Sequence, residues 1–332
     1  MRIAIDAMGG DHAPDVVVAG AIEAAREWSD TTITLVGDTN RIEAILGDAK
    51  PANLEVRHAG EKIEADDEPV KAVRRKKDAS MVVAGRMVRE READAMISAG
   101  NTGALMTMGI LVVGRMKGIS RPALAPMIPT LDGKGILALD LGANMDSSAE
   151  ELTQYAIMGS IYRKKVEGIA KPRVGLLNVG TEAMKGNEVT KAAYGLLEQA
   201  PIHFLGNVES RDVLNGPCDV LVCDGFAGNI MLKSLEGAAS TIFSALKTEL
   251  RRNFMTKLAA AVLKPGLMKF RSSFDYAEHG AAPLLGIDGL VLKSHGSSNA
   301  MAIKNAVRQA RIAIQNDLVQ SISREISNGS EM

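Results

Sequence analysis

An α/β fold on parallel sheets is predicted by three features of the 332-residue chain. Short apolar runs alternate with longer stretches of helical periodicity, which is the pattern of βαβ units. Glycine is abundant, at 32 residues, and the apolar content is mostly Ala, Val, Ile, Leu and Met. Connections between the runs are short, and no low-complexity linker or internal repeat divides the chain. A length suited to about two domains therefore reads as a single integrated domain over residues 1–332, with two lobes around a crevice.

Taken in order, Met1-Arg2-Ile3-Ala4-Ile5-Asp6 gives a first strand, Arg2–Asp6, and not a secretory signal. Helical periodicity follows over Pro14–Trp28, then a strand over Thr32–Val36. The segment Glu61–Asp78 opens acidic and closes on Arg74-Arg75-Lys76-Lys77, which fits either a solvated helical face or a docking patch for an acidic partner. Strands are expected at Asp94–Ser98, Ile136–Leu141, Arg173–Asn178, Asp219–Cys223 and Leu290–Lys293. Helices are expected at Ala149–Glu167, from about Asn229 to Leu263 (stopping before Pro265-Gly266), and at Ser297–Ile326. The helical segment at about 235–275 is expected to protrude.

Composition narrows the function classes. Lys and Arg number 39 against 40 Asp and Glu, a net charge of −1, so no molecule-wide basic field for nucleic acid exists. Aromatics at 3% argue against base-stacking platforms. The two cysteines, Cys218 and Cys223, flank an apolar run and are expected to point to opposite faces of a strand as buried thiols, which points to a cytoplasmic protein. No apolar run approaches the ~20 residues a membrane span needs.

The most informative pattern lies just past the strand ends. Gly-polar loops occur at Ala7–Pro14, Gly100–Gly103, Gly142–Asp146, Gly180–Asn187, Asp224–Asn229 and Ser294–Asn299. In parallel sheets the carboxyl ends of the strands share one side, where ligands bind. Glycine lets backbone approach a ligand, and helix N-termini attract anions. Six such loops indicate an anion-binding crevice, since ordinary connections need no repeated Asn and hydroxyl groups.

Several chemistries have no motif. A G-x-x-x-x-G-K-[ST] loop and a G-x-S-x-G elbow are absent, and Gly133–Ala138 precedes its strand where a dinucleotide fingerprint would come after one. The five histidines lack metal-ligand spacing, and Asp140, Asp146 and Asp224 are too dispersed for a clear Mg²⁺ site. Neutral donors plus a lysine or two, without nucleophile, metal or cofactor, suit a substrate that brings its own nucleophile. Inorganic phosphate attacking an acyl thioester is such a case, with proximity and oxyanion donors supplied by the protein.

Ile5–Pro14, Ser98–Ala104, Asn178–Glu182 and Asp224–Asn229 together resemble the bacterial phosphate acyltransferase (PlsX) family, over about residues 1–325. The resemblance implies the fold shared by phosphotransacetylase and the isocitrate/isopropylmalate dehydrogenases, a homodimer and no cofactor. It implies the reaction of acyl-[acyl-carrier-protein] with inorganic phosphate to give acyl phosphate and free carrier protein, in bacterial phospholipid synthesis, without a covalent acyl-enzyme. Under it, Gly100, Asn101, Thr102 and Gly103 cradle phosphate, with Asn144 and His295 as further donors. Lys185 neutralises phosphate or the oxyanion, Asn229 orients the thioester, and Asp224 positions it or takes a proton. The plainer reading of Asp224 and Asn229 is a turn and a helix cap.

Within the pattern from Asn229 to Leu263, Phe243, Leu246, Leu250, Phe254, Leu258 and Val262 form one apolar stripe. Lys247, Arg251, Arg252, Lys257, Lys264, Lys269 and Arg271 flank it. A core or dimer-interface helix fits, as does a helix lying on anionic lipid or a surface for an acidic carrier protein. Peripheral membrane association and a membrane-bound glycerol-phosphate acyltransferase as neighbour are implied by the resemblance. The rivals are a decarboxylating dehydrogenase relative, which lacks an apparent nucleotide site, and a non-catalytic docking scaffold, which leaves the six loops unexplained.

Overall fold

In the computed structural model, which describes residues 1–273 and 281–329, the chain builds two sheets side by side. The first takes β1 (Arg2–Asp6), α1 (Asp15–Glu27), β2 (Thr32–Gly37), α2 (Thr39–Leu46), β3 (Leu54–His58), α3 (Pro69–Arg75), α4 (Ser80–Arg89), β4 (Ala95–Ser98), α5 (Thr102–Met108) and β5 (Ala123–Leu124). The chain then crosses over to form β6 (Met127–Ile128), β7 (Ile136–Leu139), α6 (Ala149–Val166), β8 (Arg173–Asn178), α7 (Glu188–Gln199), β9 (His203–Glu209) and β10 (Val220–Val222). Two long helices come next, α8 (Gly225–Leu250) and α9 (Phe254–Ser273). It returns to the first sheet as β11 (Ala282–Leu285) and β12 (Leu290–Lys293) and ends in α10 (Ala300–Gln315) and α11 (Leu318–Gly329).

The strand orders are β3-β2-β1-β4-β12-β11-β5 and β6-β7-β10-β8-β9. All pairings are parallel except those of β11 and β6. Strands β4, β7 and β12 are buried along their whole length, which is why they read as continuous apolar runs without alternation. The carboxyl ends of β1, β4 and β12 in one sheet, and of β7, β10 and β8 in the other, carry the Gly-polar loops.

The seven expected strands all form, one of them shortened, and two expected helical stretches are each divided. Ile136–Leu141 stops at Leu139, because the Asp140 carboxylate turns back to accept the amides of Gly142 and Ala143. The pattern over Ser297–Ile326 is two helices, broken at Asn316–Asp317, where Asp317 takes a left-handed φ of 50°. The pattern over Asn229–Leu263 is also two helices. Asn253 accepts from the Thr256 amide at 2.9 Å, and the Thr256 hydroxyl accepts from the Asn253 amide at 3.1 Å. This local exchange competes with helix continuation and starts α9, which then runs through Pro265 instead of ending before it.

Cys218 and Cys223 are buried free thiols, yet both pack in one aliphatic cluster with Leu221 and Val213. The alternation argument fails because Cys218 lies before the strand begins. Between Glu61 and Asp78 only α3 is helical, and Arg74, Arg75 and Lys77 stand in solvent, while Lys76 pairs with Asp67 at 2.5 Å. Among the described residues no helix is long and apolar enough to cross a membrane.

Candidate active site between the two sheets

Each sheet presents a buried aspartate at the carboxyl end of a strand, and each aspartate ties down a loop. In the first sheet Asp6 accepts from the Ser80 and Ser98 hydroxyls, both at 2.6 Å, and from the Met8 amide at 3.3 Å. Ser98 in turn accepts from the Gly100 amide at 3.0 Å. Burial pushes the Asp6 carboxyl above the ordinary aspartate range, against these hydrogen bonds, which favour the ionised form. The adjacent strand brings Lys293 into register with Ser98. Burial lowers the Lys293 ammonium to about 8, opposed by the attraction of Asp6 and Asp11.

In the second sheet Asp140 accepts from the amides of Gly142, Ala143 and Asn144 and from the Asn144 side chain at 2.8 Å. Burial raises this carboxyl as well, against the same hydrogen bonds. The start of α8 lies directly on the loop so formed. A methyl at Gly228 would stand 2.1 Å from the Asp140 carbonyl oxygen, so only glycine permits the approach. Asn229 is next in the chain, and its side chain abuts Gly142, whose φ is 121°.

Between the sheets lies a cavity of about 500 Å³. Strand-end residues Thr102, Asp140, Gly142, Lys293, Ser294 and His295 line it. Its apolar lining comes from Leu124–Pro129, Leu137, Leu141 and Leu232, and Lys134, Glu167, Lys233 and Glu236 also reach the wall. One face of α10, at Asn305, Arg308, Gln309 and Ile312, closes another side.

The residues expected from sequence divide into three groups. Thr102 and His295 line the cavity, and Asn229 stands against its Gly142 wall. Gly100 and Asn101 on the loop that leads to Thr102, and Gly103 just after it in α5, stand outside the lining. Lys185 is exposed on the Gly180–Asn187 loop of the second sheet, held by its amide to the Glu182 carbonyl at 3.0 Å, and does not line the cavity.

Two expectations change. Asn144 is not a spare donor: its side-chain amide gives one hydrogen to the Pro122 carbonyl and one to Asp140. The repeated Asn and Asp of the loops have a structural use after all. Asn101, Asn187, Asp224 and Asn299 each accept from an amide in the first turn of the adjoining helix, at 2.8–2.9 Å, which contributes about 1 kcal/mol per cap. Asp140 spends its oxygens on its own loop, which leaves it unsuited to Mg²⁺. Arg251 and Arg252 in the turn after α8, and Phe254, Lys257, Leu258 and Val262 on α9, are exposed and apart from the cavity.

Sequence reading missed Asp6, Ser80, Lys293 and Ser294. Asp6 and Lys293 end apolar strand runs, and a charged residue at that position in a buried strand is the one signal that marks them.

The family model described as fatty acid synthesis protein matches residues 1–321. A phosphate acyltransferase of Brevibacillus brevis is 56% identical over 330 residues, 99% of this chain and 98% of the relative. Among solved structures, a branched-chain phosphotransacylase from Enterococcus faecalis V583 superposes with a TM-score of 0.59 at 15% identity, over 95% of this chain and 99% of that one. A phosphotransacetylase from Streptococcus pyogenes gives 0.58 at 16% identity, over 98% and 94%. These distant structures share the two-sheet αβα fold. With the family match and the 56% identical relative both spanning nearly the whole sequence, the chain belongs to the phosphate acyltransferase family of fatty acid and phospholipid synthesis.

Proposed function

We propose that the crevice transfers an acyl group from the thioester of an acyl-[acyl-carrier-protein] directly to inorganic phosphate. A phosphate oxygen attacks the thioester carbonyl carbon, the carbon–sulfur bond breaks, and the proton of hydrogen phosphate ends on the departing thiol. The products are acyl phosphate and free carrier protein. The observation that carries this reading is a single cavity whose lining combines the donors Thr102, Lys293, Ser294 and His295 with an aliphatic wall, matched to an anionic nucleophile beside an aliphatic chain. Direct attack is supported by the thiols. Burial pushes Cys218 up to about 12 and Cys223 well above the ordinary thiol range, so neither offers a thiolate to carry the acyl group.

In this reading Thr102 and the Gly100–Gly103 loop face the phosphate, with His295 at the cavity wall. Asn229 orients the thioester carbonyl against Gly142, and Asp224 fixes the turn that places it. Lys185 approaches from the second sheet to neutralise charge that develops on the carbonyl oxygen. The two sheets act as a single integrated domain around the crevice.

Beyond the crevice, Phe254, Met255, Leu258 and Val262 are each more than half exposed, and Arg251, Arg252 and Lys257 stand beside them in solvent. Apolar side chains flanked by cations suit the surface of an anionic membrane. On this reading, and as the family resemblance implies, the protein works in the cytoplasm as a homodimer, peripheral to the membrane and near a membrane-bound glycerol-phosphate acyltransferase.

The test is release of free carrier protein from acyl carrier. Release that depends on inorganic phosphate, with no acylated protein in denaturing mass spectrometry, supports the reading. Release without phosphate, or a stable acyl adduct on the chain, overturns it.

A further inference from the structure

Side chains in register on adjacent parallel strands point to the same side of the sheet. Lys293 pairs with Ser98, and Ile5 pairs with Ile97, so Asp6, Ser98 and Lys293 form one row at the carboxyl ends of β1, β4 and β12. Asp6 and Ser98 satisfy each other. Lys293 does not join them by an ion pair. Its ammonium carries three hydrogens, and among the described residues its one hydrogen-bond acceptor is the Ser294 carbonyl. Ser294 itself is 2% exposed, its amide is spent on the Ser98 carbonyl, and its hydroxyl meets no partner among the described residues.

Both residues line the cavity beside Thr102 and His295. Buried donors left unspent are rare, because each forfeits the hydrogen bonds it made to water. Here an ammonium with two hydrogens unspent and a hydroxyl without a partner among the described residues sit side by side in the lining of one cavity. No carboxylate pairs directly with the ammonium among the described residues, and a tetrahedral oxyanion offers an acceptor to every donor.

We propose that Lys293 and Ser294 are the binding residues for the phosphate dianion, with the Lys293 ammonium and the Ser294 hydroxyl each holding a phosphate oxygen. This assignment rests on phosphate being the acyl acceptor and adds residues that loop patterning alone did not single out. Asp6 positions the ammonium through space, keeping it charged without neutralising it in a direct pair. Free inorganic phosphate and the phosphodiester of a carrier protein's prosthetic arm share the necessary chemistry, and the assignment is to free phosphate.

The experiment uses two variants, Lys293→Met, close in shape to the lysine stem, and Ser294→Ala, which removes a hydroxyl that has no partner among the described residues. Circular dichroism checks the fold of each. In steady-state kinetics the KM for inorganic phosphate rises about tenfold or more in Lys293→Met and about threefold or more in Ser294→Ala. The KM for acyl carrier protein stays within about twofold in both. A rise confined to the carrier-protein KM assigns the pair to the phosphodiester and overturns the proposal. So does an unchanged phosphate KM in Ser294→Ala, should Lys293→Met fail to fold.

Calorimetric titration of each protein with inorganic phosphate separates this inference from the acyl-transfer reading. Binding by the native chain that is lost in the variants upholds the site, even if no acyl transfer is found. Equal binding by all three proteins, or none by the native chain, rejects it.

Discussion

The Ser98 hydroxyl donates to the Asp6 carboxylate at 2.6 Å, linking the ends of two neighbouring strands beneath the loop that leads to Thr102. Ser80 at the start of α4 and the Met8 amide donate to the same carboxylate. Three structural pieces therefore meet at one buried group. Asp6→Ala leaves these donors without an acceptor, at roughly 1–3 kcal/mol for each group stranded. A loss of about 3 kcal/mol or more in urea unfolding is expected, against about 1 kcal/mol for Ser80→Ala. Equal, small losses in the two variants would show that Asp6 is not the anchor.

Gly228→Ala tests the corresponding anchor of the second sheet. The added methyl would stand 2.1 Å from the Asp140 carbonyl oxygen and 2.8 Å from the Cys223 sulfur, so the backbone of one segment or the other has to move. Overpacking of this kind costs about 1–3 kcal/mol. It is expected to shift Asn229 off Gly142, so that kcat falls along with the melting temperature. A variant of native stability and native kcat would contradict this packing.

Protonated Lys293 is the form that binds phosphate, which gives the pH profile a direction. Its ammonium titrates at about 8 in the folded chain, held down by burial against the pull of Asp6 and Asp11, while His295 and Asp140 face the same cavity. Above pH 8 the free protein loses the charge, so kcat/KM for phosphate is expected to fall about tenfold per pH unit. Bound phosphate favours the ammonium, so kcat at saturating phosphate holds to higher pH. Stability moves the other way. The unfolded chain keeps this proton up to 10.5, so between about 8 and 10.5 the unfolded state binds more protons and folding is strengthened as pH rises. A fall in kcat/KM that tracked unfolding would reject this account.

Lys185 and Asn229 are tested by alanine. Lys185 is exposed, and its removal should change stability by no more than about 0.5 kcal/mol. A donor or charge that acts on the oxyanion is worth about a hundredfold in kcat. Large losses of turnover with a native circular dichroism spectrum are therefore expected for both variants. Near-native turnover in both would remove them from the mechanism.

How much of this was legible depends on what each residue answers to. Strands β4, β7 and β12 are buried on both faces, so a run of aliphatic residues announces them. The loops were legible as a group because glycine punctuates strand ends. Their asparagines misled, since Asn101, Asn187 and Asn299 are chosen by the first turn of the next helix and say little about a ligand. Lys293 and Ser294 were hidden for the opposite reason: their meaning comes from register with Ser98 and from a cavity closed by the other sheet, neither of which is a local property. The break at Asn253 was legible in principle, as Asn with Thr three positions on is a cap, but the apolar stripe continued across it and masked the signal.

That stripe carries the last prediction. Leu258 and Val262 lie one turn apart on α9, 56% and 76% exposed, with Phe254 one turn before them at 78%. Each apolar side chain moved from water into lipid gains about 1.5–3 kcal/mol, and each nearby Lys or Arg adds about 1 kcal/mol on an anionic surface. Replacing Leu258 and Val262 together by Glu removes the apolar gain and sets two negative charges against the lipid. Co-sedimentation with vesicles containing anionic lipid is expected to disappear, while phosphate-dependent release of carrier protein in solution stays native, because the cavity is lined by other residues. Light scattering on the same variant separates lipid contact from subunit contact. Lost sedimentation with an unchanged molecular mass supports a membrane-facing helix, whereas a halved mass with sedimentation intact would assign the stripe to a subunit interface.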